Sequence, residues 1–168
     1  MDRKALLTLL SSAFLAAAQQ PAESQVLFDT YLRVCPAALD QPAGIIDALV
    51  KDGWINPGYK VDVPAGRNAS LNSSDGSLSV VIQHLPFPSG VYTICDVGAS
   101  GSITMDDIEK FKSEFPAAEA ITTQYGDGTY DVSWLLTEHK TFTMLKIENR
   151  TTWARLSVVQ TSYSSQRE

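Results

Sequence analysis

Apolar positions between residues 24 and 35 recur every three to four residues, at Leu27, Phe28, Tyr31, Leu32 and Cys35. That spacing predicts a half-buried helix with Ser24 as its N-cap and Pro36 as its end. A second helix is predicted from Asp40 and Pro42, with Ile45, Ile46, Leu49 and Val50 apolar and Gly53 as its stop. Trp54 follows and is expected to fold back onto the helix pair. The period then changes to two. Leu78, Val80, Ile82 and His84 alternate with Ser79, Val81, Gln83 and Leu85. After a turn at 86–90, Val91, Thr93, Cys95 and Val97 alternate with Tyr92, Ile94 and Asp96, so two adjacent strands are predicted. Gly98 to Gly101 reads as a break before a third helix, which Thr104 caps, Met105, Ile108, Phe111 and Phe115 anchor, and Pro116 ends.

The last third reads as strand throughout. Tyr130, Val132, Trp134 and Leu136 follow the turn Gly126-Asp127-Gly128, and Trp153 to Tyr163 supplies the final strand, with Leu156 and Val158 set against Val159. Between them, Phe142 and Met144 keep one phase while Leu145 and Ile147 keep the other. That conflict calls for a bulge, or for a strand covered on both faces. Tyr59 to Val63 is a further short strand candidate, and residues 64–77, rich in Gly, Asn and Ser, read as a mobile loop. The order is α-α-β-β-α-β-β-β, with the short candidate at 59–63 as an optional extra strand. It predicts a single α+β domain over residues 19–168: a helical hairpin, then a twisted antiparallel sheet of about five strands with helices on one face. In element order alone this resembles the cystatin/NTF2-like cone and the profilin/PAS-like sheet. Order of elements implies nothing about activity.

Composition narrows the partners. The chain has 168 residues, 44% apolar and 19% charged, with 13 basic against 19 acidic side chains. That is the composition of a packed core, and it is acidic enough to argue against nucleic acid or an anionic membrane surface as partner. Residues 1–18 carry Arg3 and Lys4, an apolar run from Ala5 to Leu15, and a small-x-small pattern at Ala16 and Ala18, the parts of a secretory signal peptide. The run is shorter than the ~20 residues that span a bilayer. Removal of 1–18 leaves 168 − 18 = 150 residues, and export to the periplasm or outside the cell is the expected address. Three glycosylation sequons start at Asn68, Asn72 and Asn149.

The two cysteines give the strongest chemical signal. Cys35 lies on the apolar stripe of the first helix and Cys95 on the inward phase of a strand, so a helix packed on the sheet brings them into one layer. In an exported chain that pattern predicts a structural disulfide. Metal binding is not supported: His84 and His139 stand alone, no zinc or calcium ligand spacing occurs, and Asp106 and Asp107 read as helix N-terminal acids. No metal, nucleotide or other cofactor is expected, because phosphate-cradling and nucleophile-elbow motifs are missing and Gly98–Gly101 reads as a small-residue turn.

His84 conflicts with its surroundings, because alternation aims it at the helix layer. It reads as a hydrogen-bonded residue at the core edge, or else as a group at the mouth of a pocket that Tyr31, Trp54, Tyr92 and Trp134 help to line. No catalytic residue is assigned. Three function classes follow: a non-enzymatic binding or envelope-associated domain with an unknown protein or small ligand as partner; an inhibitor-like module using loop 64–77; and a small pocket enzyme with His84 and Asp131 as acid and base. The phase of Asp131, opposite to Trp134, weighs against the enzyme. The signal reading carries its own test. Intact-mass analysis of secreted product is expected to start at Gln19, and a mature chain that retains Met1 overturns it.

Overall fold

In the computed structural model the described residues are 23–56, 68–112, 120–127, 129–138 and 141–163. Two helices, α1 (Glu23–Asp40) and α2 (Pro42–Lys51), come first. Strands β1 (Ala69–Asn72), β2 (Leu78–Phe87) and β3 (Gly90–Ser100) follow, then helix α3 (Met105–Lys112). The chain ends with β4 (Ala120–Gln124), β5 (Tyr130–Glu138), β6 (Thr141–Asn149) and β7 (Trp153–Tyr163). All seven strands join one antiparallel sheet in the order β1-β2-β3-β7-β6-β5-β4. The class is α+β as expected, but the sheet has seven strands rather than about five.

Both additional strands lie at the edges, where alternation is weakest. Ala69–Asn72 falls inside the stretch read as a mobile loop, and it pairs with Ser79–Ile82 of β2. The polar residues after it are turn chemistry rather than slack. Asp75 accepts hydrogen bonds from the Ser73 hydroxyl at 2.6 Å and from the Ser77 amide and hydroxyl at 3.0 and 2.8 Å. These bonds hold its carboxyl down to about 2. Gly76 has φ of 73°, the left-handed conformation that glycine adopts at no steric cost. Strand β4 has residues 121–124 exposed on both faces, so no apolar alternation marks it. Residues 64–67 and the candidate at 59–63 lie outside the described residues, as do Phe115, Pro116 and His139.

The helices form where the pattern placed them, but their ends differ. Ser24 is not the N-cap, because α1 already includes Glu23; Asp40 closes α1 and Gln41 stands at the N-cap of α2; and Gly98–Ser100, expected as a break before α3, continue β3. Pro36 sits inside α1, which runs on to Asp40. Pro36 and Leu32 face solvent, so the backbone bond that proline cannot make is missing on the exposed side, while Cys35 and Ala38 stay anchored in the core. Helix α2 ends as expected. Gly53, at φ 89°, donates to the Val50 carbonyl at 3.1 Å and Trp54 donates to that of Leu49 at 3.0 Å, a Schellman closure that turns Trp54 back against the core. Thr104 caps α3: its Oγ1 accepts from the Asp107 amide at 3.2 Å, and its own amide donates to the Asp107 carboxylate at 3.1 Å.

One face of the sheet carries the core. Across the strands run Trp134–Leu145–Val158–Cys95–Ile82–Ala69 and Val132–Ile147–Leu156–Val97–Val80–Leu71, all buried. Leu27, Tyr31, Val34 and Cys35 of α1 and Ile108 and Phe111 of α3 pack with them. Phe111 stacks on Phe28 at 4.8 Å between ring centres and meets Tyr31 and Trp134 edge-on at 5.6 and 6.3 Å. The bulge considered for β6 does not occur, since Thr141–Asn149 pair one-to-one with both neighbours. Its phase conflict has another cause: Leu145 and Ile147 enter the core while Met144 lies on the opposite face, where Leu135, Val159 and Ile94 share its row.

Cys35 and Cys95 are both fully buried, with Cα atoms 5.4 Å apart in disulfide geometry, and they tie α1 to β3 over a separation of 60 residues. Thiol titration of the denatured, unreduced protein is expected to find no free thiol. Replacing both cysteines by Ala is expected to cost on the order of 4 kcal/mol in chemical denaturation, the chain-entropy value for such a loop; an unchanged midpoint contradicts it.

Candidate functional site

Two polar constellations lie on opposite faces of the sheet. On the core face, beyond the end of the packed layer, His84, Thr93, Gln160 and Thr143 form one cross-strand row. The His84 Nδ1 lies 3.0 Å from the buried Thr93 Oγ1, and the His84 amide donates to Asn68 Oδ1 at 3.1 Å. Gln160 donates to Thr143 Oγ1 at 3.5 Å. This row finishes the apolar layer with side chains that satisfy one another.

The residues named with His84 as pocket walls do not converge on it. Tyr31 and Trp134 are buried in the aromatic cluster around Phe111, and Trp54 packs on the core beside α2. Burial, with the negative charge of Asp96 adding to it, raises the Tyr31 hydroxyl far above the usual tyrosine range, so it stays neutral. Tyr92 follows the opposite phase of β3 and lies half-buried on the open face. Asp131 is also on that open face, one residue out of phase with Val132, so the sheet itself separates it from His84.

The open face holds the denser chemistry. Its first row reads Thr123–Asp131–Glu148–Arg155–Gly98–Ser79–Asn72, and the next reads Ser133–Lys146–Ser157–Asp96–Val81–Ser70. Glu148 Oε2 accepts from Arg155 through Nε at 2.6 Å and again through a terminal nitrogen, so both guanidinium donors converge on one carboxylate oxygen. Lys146 reaches Glu148 at 2.9 Å and Asp131 at 3.4 Å. Arg150, just past β6, reaches Asp131 at 2.7 Å, and the Tyr125 hydroxyl donates to the same carboxylate at 3.0 Å. The guanidiniums also stack: Arg150 lies 5.3 Å from the Tyr125 ring centre and 5.5 Å from that of Trp153, and Arg155 lies 5.6 Å from Trp153.

Burial pushes the Asp131 and Glu148 carboxyls up, but their hydrogen bonds and the nearby cations outweigh it and hold both below the ordinary carboxylate range. Asp96 differs. Burial raises it, and the Ser157 hydroxyl and the Arg155 charge only partly oppose that. Beside this network an open groove of about 350 Å³ runs past Ser79, Gly98, Trp153 and Arg155. A side chain at Gly98 would press on the Ser79 hydroxyl, 2.8 Å from where its Cβ would stand.

Sequence reasoning placed Asp131 on this face but missed its partners. The signal was the period-two spacing of Lys146 with Glu148 and of Trp153 with Arg155, which gains meaning only once the strand register is known. The Asn149 sequon is closed by structure. Asn149 is buried, with Oδ1 accepting from the Ile103 amide at 2.9 Å and Nδ2 donating to the Ile103 carbonyl at 3.1 Å. Among the described residues no cluster of three or more metal-ligating side chains occurs. Comparison of the chain with family models, curated proteins and solved structures finds no match.

The network makes a pH prediction with a definite sign. The folded values of Asp131 and Glu148 lie below the unfolded ~3.9 and ~4.3, so their contribution is present above pH ~4 and is lost as pH falls through the folded values. Asp96, raised in the fold, acts oppositely, and its carboxylate lowers stability above its own folded value. Chemical denaturation of Asp131→Asn is expected to show a lower midpoint at pH 7, with the gap to the parent narrowing as the pH falls below ~4. Equal midpoints above and below that pH contradict the assignment.

Proposed function

We propose that this chain is an exported, disulfide-stapled binding or envelope-associated domain, that it performs no catalysis, and that its contacts are made through the open sheet face. The observation that carries this reading is the composition of that face. Arginine, tryptophan and tyrosine are the side chains that most often dominate interface energetics; here buried carboxylates hold Arg150, Arg155 and Tyr125, and Trp153 lies against both guanidiniums, so little conformational freedom is lost on contact. The buried cysteine pair supports an oxidising compartment, because such bonds persist chiefly outside the cytosol. No helix among the described residues is long and apolar enough to cross a membrane.

The pocket-enzyme alternative has less support, because its acid–base pair, His84 and Asp131, is divided by the sheet. The inhibitor-like alternative is weakened because Ala69–Asn72 is bound into the sheet. His84 decides against catalysis or for it. His84→Gln keeps a side chain that bonds Thr93, so stability is expected to change by no more than about 1–2 kcal/mol, and a broad hydrolase and isomerase screen of the parent is expected to find nothing to lose. A reproducible parental activity that falls ~10²-fold or more in a folded His84→Gln variant overturns the reading.

A further inference from the structure

The open face divides along its length. At one end are the two charged and polar rows; beyond them Leu135, Met144, Val159 and Ile94 lie side by side, followed by Tyr92 and Leu85. Leu135 is 53% exposed and Met144, Val159 and Ile94 are half-buried, with none of the three helices on that side. Antiparallel sheets with one solvated face usually keep it polar. A contiguous apolar band across four adjacent strands therefore marks a surface made to be covered.

We propose that the occupant is a second copy of this chain, packed face to face across a two-fold axis near Val159. The inference rests on the reading of the open face as the contact surface and names its partner. Three features select a second copy. The first is position: Val159 lies on β7, the middle strand of the seven, with Ile94 on one side and Met144 and Leu135 on the other, so a two-fold axis there lays apolar side chains on apolar side chains.

The second is charge. The chain is acidic overall, with 13 basic against 19 acidic residues. Yet the ionisable side chains on the described outward positions of the strands, with Arg150 and Asp127 beside them, are Asp96, Asp127, Asp131 and Glu148 against Lys146, Arg150 and Arg155. Four acids face three bases, close to balance for so acidic a chain. Two such faces repel only weakly, and Asp131 and Glu148 keep their cations within their own chain, so covering them leaves neither carboxylate unpaired. A basic or an acidic partner would find no complementary field here.

The third is area. Strands β2, β3, β7, β6 and β5 have 10, 11, 11, 9 and 9 residues. At ~3.4 Å per residue and ~4.8 Å between strands, they present a face of roughly 24 by 30 Å. That is roughly 700 Å², close to the ~800 Å² per partner of a standard interface. Sheets stacked this way sit ~10 Å apart with interdigitated side chains.

The test is the oligomeric state of the full mature chain by sedimentation equilibrium, from low to high micromolar concentration. The parent is expected to be a dimer. Val159→Lys, at the centre of the band, is expected to raise the dissociation constant by at least about tenfold, the effect of losing a central interface anchor. Leu135→Glu, an exposed site whose change leaves the core untouched, is expected to shift it in the same direction with an unchanged far-ultraviolet circular dichroism spectrum. It decides the matter should Val159→Lys fail to fold. A parent that stays monomeric throughout overturns the proposal, as does a dimer that a folded Leu135→Glu leaves intact. A monomeric parent that binds another molecule through this face also overturns the second copy. The reading of the face as a contact surface survives that result, and an activity lost in His84→Gln bears only on the reading of the chain as non-catalytic.

Discussion

The link between Cys35 and Cys95 sets the frame on which the other contacts depend. It joins α1 to β3, the strand at which the β1–β3 meander meets β7. With that junction held, α1 lies over β3 and β7, and Tyr31 and Phe28 are carried to where Phe111 of α3 can stack on them. The bond thus positions the aromatic cluster as well as limiting the unfolded chain. A helix carrying an internal proline is weak on its own. Here it is pinned one residue before that proline.

The sheet separates two kinds of stabilisation. On the helix side, buried apolar rows end in the His84–Thr93–Gln160–Thr143 row, where polar groups face one another across strands. On the other side, three cations and two low-titrating carboxylates cross-link β5, β6 and β7, with Trp153 set between two guanidiniums and Tyr125 under one of them. Isolated surface ion pairs contribute little, but a network in which two carboxylates share three cations holds its geometry. The stiff charged end and the apolar band are successive rows of the same strands, so one backbone register governs both.

Much of this was legible in the chain, and the illegible parts have physical reasons. The helical spacing of Leu27, Tyr31 and Cys35 and the alternation of Val80, Ile82, Cys95 and Val97 each report burial on one side, so the cysteine pair followed from phase alone. Strand β4 was invisible because Ile121, Thr122, Thr123 and Gln124 are exposed on both faces. Strand β1 was hidden by the Ser, Asp and Gly residues that build its turn. The aromatic residues placed around His84 were chosen by type, whereas phase already set Tyr92 on the face opposite Cys95. The apolar double phase of β6 left a bulge and a two-faced strand open, and the continuous pairing of Thr141–Asn149 removes the bulge.

The last strand of the chain occupies the middle of the sheet. β7 lies between β3 and β6, so the two meanders are not joined until residues 153–163 are available. Cys35 and Cys95 both precede it, although β3 completes its pairing only with β7. A nascent chain therefore carries an N-terminal half that can be stapled and a β4–β6 unit with an unsatisfied inner edge, and the final segment bridges them. The pairing of β3 with β7 joins residues about 60 apart in the chain, the kind of long-range contact that slows folding across small domains.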